Sequence, residues 1–246
     1  MSFKFNFPSP DVPVTKKRKK SDADGPFSQN SEEQRSSECK SIIAEEIKLP
    51  DDCQIVYENA RVGGSLEPEE SMFLHLVDSK QAEKHIQETG SPLASAFNKD
   101  SDLVPNVYEG GLKTWECSHD LVSYLSSSDI KWKGMKVLEL GCGSALPGLY
   151  SLLKGAKVHF QDYNKEVINF ITIPNVLLNL DEEEAHSRAR FFCGDWASLA
   201  TVLLQADANI KYDMILTSET IYSIESQEKL LKLMKLVLKD DGVIYP

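Results

Sequence analysis

The sequence holds no C-x-x-C pair, no H-x-x-x-H or H-E-x-x-H spacing, no long apolar run and no excess of basic charge. Each absence excludes something. The five cysteines, at 39, 53, 117, 142 and 193, are scattered and odd in number. That disfavours a disulfide framework or a structural zinc site and fits reduced thiols of cytosol or nucleus. The five histidines, at 75, 85, 119, 159 and 186, show no ligand spacing, so metal is expected to play no part. No segment approaches the ~20 apolar residues that span a bilayer, and no apolar h-region follows a charged n-region at the N-terminus; no membrane partner is expected. A net charge of -11 speaks against a broad basic face, so direct nucleic-acid binding is not expected either. What remains is ordinary for a globular protein. The 246 residues are 41% hydrophobic and 26% charged, enough for one α/β domain with a real core and a tail.

Residues 1–40 are rich in Ser, Pro, Asp, Glu and Lys and read as a disordered tail, because they cannot bury enough apolar surface to offset the entropy of ordering. Within it, 16–20 is a compact basic run: a nuclear-import signal, a weak RNA-contacting patch, or a solvated charge run. Phe3, Phe5 and Phe7 alternate with polar residues. Residues 41–106 read as an N-terminal extension packed on the main domain, with short strands at 55–57 and 73–77, a helical turn or two at 79–88 and a connection at 100–107. Residues 107–246 carry the clear pattern. Helical spacing at 115–127 precedes strands at 136–140, 156–161, 190–193 and 212–217, with a fifth beginning at 242–245. Helices are predicted between them at 147–154, 165–180 (broken by Pro174), 199–205 and 227–238. Alternation of this kind predicts a Rossmann-like, doubly wound parallel sheet, with ligands bound beyond the carboxyl ends of its strands.

Four strand ends are therefore the places to search. After the first come Gly141, Cys142 and Gly143, which allow a sharp turn and close backbone approach. A dinucleotide loop would need a third glycine where Leu146 stands, and Gly148 comes too late. Glu139 suits a cationic amino-acid moiety better than a pyrophosphate. After the second come Gln161, Asp162 and Tyr163; Asp162 lies where an acid binds ribose hydroxyls, or where it caps a helix. After the third come Gly194, Asp195 and Trp196, suited to an adenine amino group and base face, or to an ordinary turn with a core tryptophan. After the fourth, Ser218 and Glu219 are candidates to position an acceptor, or a helix cap. Nucleoside and cationic amino acid together point to S-adenosylmethionine.

The string V-L-E-L-G-C-G with these strand ends resembles the seven-stranded S-adenosylmethionine-dependent methyltransferases. The segment V-Y-E-G-G-L-K-T-W-E-C at 107–117, L-T-S-E-T-I-Y at 216–222 and the start M-S-F-K-F-N-F are similar to the protein-histidine methyltransferase family, the methyltransferase-like eighteen group. The resemblance implies S-adenosyl-L-methionine as cofactor and transfer to the tele nitrogen of a histidine in a large-subunit ribosomal protein. It also implies residence in cytoplasm and nucleus, with the nucleolus as one candidate site. A monomer is expected. By position the cofactor contacts would include Thr114, Trp115, Glu116, Cys117, Ser118, Gly141, Gln161, Asp162, Tyr163, Gly194, Asp195, Trp196 and Ser218. Glu219 is the expected catalytic residue, taking a hydrogen bond from the acceptor imidazole. Two departures stand out. Ala145 replaces the usual last glycine of the loop, which is tolerable if φ is negative there. The chain also stops at Pro246, before the helix and hairpin with which the family completes its sheet, so it is expected to be C-terminally truncated, with the last strands missing. Transfer to lysine or a small molecule, or an inactive binding module, remain alternative readings.

Overall fold

A computed structural model describes residues 42–97, 107–221 and 224–246. The expected tail with its basic run, and most of the 100–107 connection, lie outside the described residues. In chain order the extension supplies β1 (Glu45–Ile47), α1 (Gln54–Asn59), β2 (Val62–Glu69), β3 (Met72–Val77), α2 (Ser79–Thr89) and α3 (Pro92–Phe97). Then follow α4 (Glu116–Ser127), β4 (Lys136–Leu140), α5 (Leu146–Leu153), β5 (Lys157–Asp162) and α6 (Lys165–Val167). A π-turn (Ile168–Thr172), α7 (Ile173–Leu177), α8 (Glu182–Arg188), β6 (Ala189–Cys193), α9 (Trp196–Ala206), β7 (Tyr212–Thr217), α10 (Ile224–Val237) and β8 (Leu238–Tyr245) complete the described chain.

The main sheet runs β1-β6-β5-β4-β7-β8. β4 to β8 are mutually parallel, and β1 joins β6 antiparallel. The chain runs from β4 outward through β5 to β6, then returns to place β7 on the other side of β4. That reversal opens a crevice above the carboxyl end of β4. The buried strands read as near-continuous apolar runs because helices cover both faces. Val137, Phe191 and Leu216 pack with Leu146, Leu149 and Val122 on one side. Leu138, Phe192 and Ile215 pack with Leu199, Leu203, Leu230 and Leu233 of α9 and α10 on the other. On α4 the buried set is Ser118, Leu121, Val122 and Leu125, a helical stripe that turns Ser118 towards the crevice.

The structure corrects several elements of the sequence reading. Residues 55–57, expected as a strand, lie in α1; a three-residue apolar run does not distinguish the two periods. β1 and β2 were not anticipated. The first is Glu-Glu-Ile and owes its existence to pairing with β6; the second contains two glycines and a proline, which hide its alternation. The irregularity expected at Pro174 takes the form of a π-turn just before it: the helix widens over Ile168–Thr172, and Pro174 lies in the first turn of α7 (Ile173–Leu177), where its missing N–H is tolerated. The extension also contributes β1 as one edge strand of the main sheet.

Candidate functional site

The crevice opens beyond the carboxyl ends of β4, β5, β6 and β7 and is lined by the residues that follow each of them. Its floor is the loop after β4. Gly143 sits at φ +48°, and a Cβ there would come within 3.0 Å of the Gly111 carbonyl oxygen. The loop and the Gly110-Gly111 segment thus pack backbone to backbone, which only glycine allows.

Asp162 anchors that loop. Its Oδ2 accepts the Gly143 N–H at 3.0 Å and its Oδ1 the Asn164 N–H at 3.1 Å. The residue is 4% exposed. Burial pushes its carboxyl up to about 6, opposed by the N–H groups of Asn164, Gly143 and Tyr163 and assisted by the charge of Glu109. Three backbone N–H groups thus share two oxygens that offer four lone pairs. The carboxylate can therefore hold the loop and still face one ligand hydroxyl.

Gln161, almost fully buried, joins three strand ends. Its Oε1 accepts the Trp196 indole N–H at 2.8 Å and, more distantly, the Gly141 N–H at 3.4 Å, while its Nε2 donates to the Gly194 carbonyl at 2.8 Å. The orientation of the Trp196 ring, which lines the crevice, is thereby set. Asp195 caps α9 through Oδ1 to the Ala197 N–H at 2.8 Å, and its Oδ2 meets the Lys229 ammonium of α10 at 2.7 Å. Each oxygen thus has one partner and keeps lone-pair capacity for a further donor.

On the opposite wall Ser118 and Ser218 share a hydrogen bond of 2.9 Å, tying α4 to the chain after β7. Thr217 donates to the Leu140 carbonyl and accepts from Thr220, which fixes the turn. Glu219 follows in the left-handed region, φ +55°, and stands exposed at the mouth. The Cys117 thiol hydrogen-bonds to it, and that bond is the largest cause of the thiol's raised pKa. Trp115 donates its indole N–H to the Gly110 carbonyl at 3.2 Å, and the Lys113 ammonium lies 4.9 Å from its ring centroid.

The crevice is thus lined by Trp115, Ser118, Gly141, Gly143, Gln161, Asp162, Tyr163, Gly194, Asp195, Trp196, Ser218 and Glu219 among the expected residues. Four others are elsewhere. Thr114, Glu116 and Cys117 do not line it, because α4 turns its Ser118 face inward and leaves Glu116 and Cys117 exposed. Glu139 points to the far face of the sheet, beneath α5, where its Oε2 accepts the Gly148 N–H at 3.1 Å and burial raises its carboxyl well above the usual range. It cannot reach a ligand in the crevice. The sequence reading named Cys142 at the strand end without assigning it a contact, and missed Glu109, Gly110, Gly111, Lys113, Ser144, Thr220 and Ser226. The Gly110-Gly111 pair was the available signal for a close backbone approach.

The electrostatic argument survives the loss of Glu139. Among the described residues four carboxylates line the crevice, Glu109, Asp162, Asp195 (paired with Lys229) and Glu219, against the ammonium of Lys113. A pyrophosphate would be repelled; a ligand bearing sulfonium and ammonium charges would be attracted. Side-chain-free backbone on the floor, an acid beside it and an indole wall fit the nucleoside part of the same molecule.

Fold and crevice together define a protein of the S-adenosylmethionine-dependent methyltransferase class. The family model described as "Lysine methyltransferase" matches residues 106–246, and the chain belongs to that family. Curated relatives bearing the name "Histidine protein methyltransferase 1 homolog" include one from Dictyostelium discoideum, 48% identical over 145 residues, covering 59% of this chain and 45% of the relative. Another, from Bos taurus, is 44% identical over 153 residues, covering 53% and 41%. A third, from Rattus norvegicus, is 37% identical over 221 residues, covering 81% and 60%. The chain spans about half the length of the curated relatives it matches. A solved S-adenosylmethionine-dependent methyltransferase from Agrobacterium tumefaciens aligns with a TM-score of 0.40 at 19% identity, covering 53% of this chain and 44% of that one.

Proposed function

We propose that the chain is the catalytic part of a protein-histidine N-methyltransferase that acts on the tele nitrogen of a histidine in a large-subunit ribosomal protein. Its natural setting would be cytoplasm and nucleus, and it would work as a monomer. The observation that carries the acceptor assignment is the shared name of the relatives at 37–48% identity. When bound, S-adenosylmethionine supplies an electrophilic methyl group on sulfur. The backbone of Gly141 and Gly143 would cradle it, Asp162 would accept from ribose hydroxyls, and Trp196 would cover the base.

The acceptor needs little activation, because a neutral imidazole nitrogen is already nucleophilic. What the protein must supply is orientation and the correct tautomer. Glu219, exposed at the mouth and fixed by the turn after β7, is placed to accept the N–H of the other ring nitrogen. Ser118 and Ser218 would close the wall beside it and exclude water.

The family description favours a second reading, transfer to lysine. Incubation with methyl-labelled S-adenosylmethionine and ribosomal-protein peptides, followed by mass spectrometry of the modified residue, decides between the two. Label on tele-methylhistidine is expected. Label confined to lysine overturns the histidine assignment. Glu219→Gln should lower turnover while leaving S-adenosylhomocysteine affinity unchanged; unaltered turnover removes Glu219 from the mechanism.

A further inference from the structure

The family match begins at residue 106, so nothing in it bears on β1. Yet the chain around β1 lies directly behind the Gly194-Asp195-Trp196 turn. The Asp195 N–H donates to the Ile42 carbonyl at 2.9 Å. The Ala44 N–H donates to Ser198 Oγ at 2.8 Å, and that hydroxyl donates to the Asp195 carbonyl at 3.0 Å. Gly194 sits at φ +105°, and a Cβ on it would fall 2.5 Å from the Ala44 Cα. The two backbones are therefore in contact at the turn.

The other end of the segment is fastened separately. Glu46 takes two hydrogen bonds of 2.8 Å from the Arg190 guanidinium, and Glu45 pairs with Lys165 at 2.9 Å. The planar fork of Arg190 fixes direction as well as distance. The register Glu45↔Cys193, Glu46↔Phe192 and Ile47↔Phe191 follows from this. None of residues 42–47 lines the crevice.

We propose that β1 is a working part of the cofactor site, and that Ser198 is a positioning residue which transmits its placement to the wall that covers the adenine base. β1 anchors residues 42–44 beside β6, and these hold the turn; the turn aims Asp195 and starts α9 at Trp196; Trp196 forms the wall. Without that anchored segment the Asp195 N–H loses the Ile42 carbonyl, and Gly194 is released from the conformation that close packing against Ala44 imposes. This rests on the S-adenosylmethionine reading of the crevice.

The test uses the full chain and S-adenosylhomocysteine, with binding measured by isothermal titration calorimetry. Ser198→Ala removes one hydroxyl that both accepts and donates, and is expected to raise Kd about tenfold, the effect of one net hydrogen bond lost from the wall. Glu46→Gln loosens β1 far from the ligand and is expected to raise Kd about threefold, in line with a partly exposed ion pair. Ser198→Thr keeps the hydroxyl and should restore affinity to within a factor of about two. Methylthioadenosine, which lacks the amino-acid arm, should show the same ratios, because the defect lies at the base. Wild-type Kd in both Ser198→Ala and Glu46→Gln overturns the inference. Absence of binding by the wild-type chain overturns the cofactor reading beneath it, and the inference with it.

Discussion

Asp162 carries a proton well above the pH at which a free aspartate loses it, since burial lifts its carboxyl to about 6. A ribose hydroxyl donates best to the ionised form. Binding below pH 6 must then expel that proton, and affinity falls as pH falls through 6. S-adenosylhomocysteine should bind about tenfold more weakly at pH 5 than at pH 7. Asp162→Asn should flatten this profile; an unchanged profile in calorimetry would detach it from Asp162. Ala145 is a second informative position. Its φ is +61°, not the negative value that would make the replaced glycine harmless. Left-handed backbone costs an alanine roughly 1–2 kcal/mol, while the fully buried methyl returns about 0.8 kcal/mol. The two nearly cancel. Ala145→Gly should change stability by less than about 1 kcal/mol in a denaturant melt, whereas β-branched Ala145→Val should cost about 3 kcal/mol or more, from strain plus overpacking.

At the scale of elements, α10 is held to the base end of the crevice by Lys229, whose ammonium reaches Asp195 at 2.7 Å; the carboxylate side chain is 10% exposed. Lys229→Met leaves that carboxylate enclosed without its cation, at a cost of about 1–3 kcal/mol in thermal or chemical denaturation. Stability equal to wild type would show the pair to be idle. This pair was not legible in the sequence. Strands β4 to β7 were, because apolar runs buried on both faces announce themselves locally, and the glycines and acids at their ends followed. Asp195 was found as a strand-end acid, but its engagement by a lysine 34 residues away depends on how α9 and α10 pack. Glu139 was found and misassigned. Strand alternation alone puts it on the face opposite Leu138 and Leu140, so a stricter use of the two-residue period would have sent it beneath α5. β1 was invisible for a different reason: nothing in Glu-Glu-Ile favours a strand until Arg190 and Lys165 are beside it.

For the whole molecule, the buried titratable groups give a pH dependence of stability with a definite sign. His159 is held neutral down to about 3, first by burial and then by Arg190. A depressed histidine removes stability as pH falls below 6.5. Asp162 and Glu139 are both raised, so the stability linked to them is present at low pH and lost as pH rises through their folded values. His159 therefore works against the native state as pH falls below 6.5, while Asp162 works for it below about 6 and Glu139 acts in the same direction as Asp162. Glu139→Gln removes one of the two raised acids, so between pH 5.5 and 8 the melting temperature of the variant should rise more, or fall less, than that of the wild-type chain; parallel pH profiles contradict this. At lower pH the paired acids Glu46, Glu69 and Asp213, whose carboxyls are lowered, also withdraw stability as they take up protons. The place of β1 in the sheet has one more consequence, in the order of assembly. Ala44 meets Ser198 across 154 residues of chain. During synthesis, β1 leaves the ribosome early and has no partner until β6 and the first turn of α9 have followed it. The central strands can pair over short loops, but the base wall closes only when the oldest described segment of the chain meets one of the younger ones, a long-range step expected late in folding. A nascent chain could thus be largely folded and still unable to retain its cofactor.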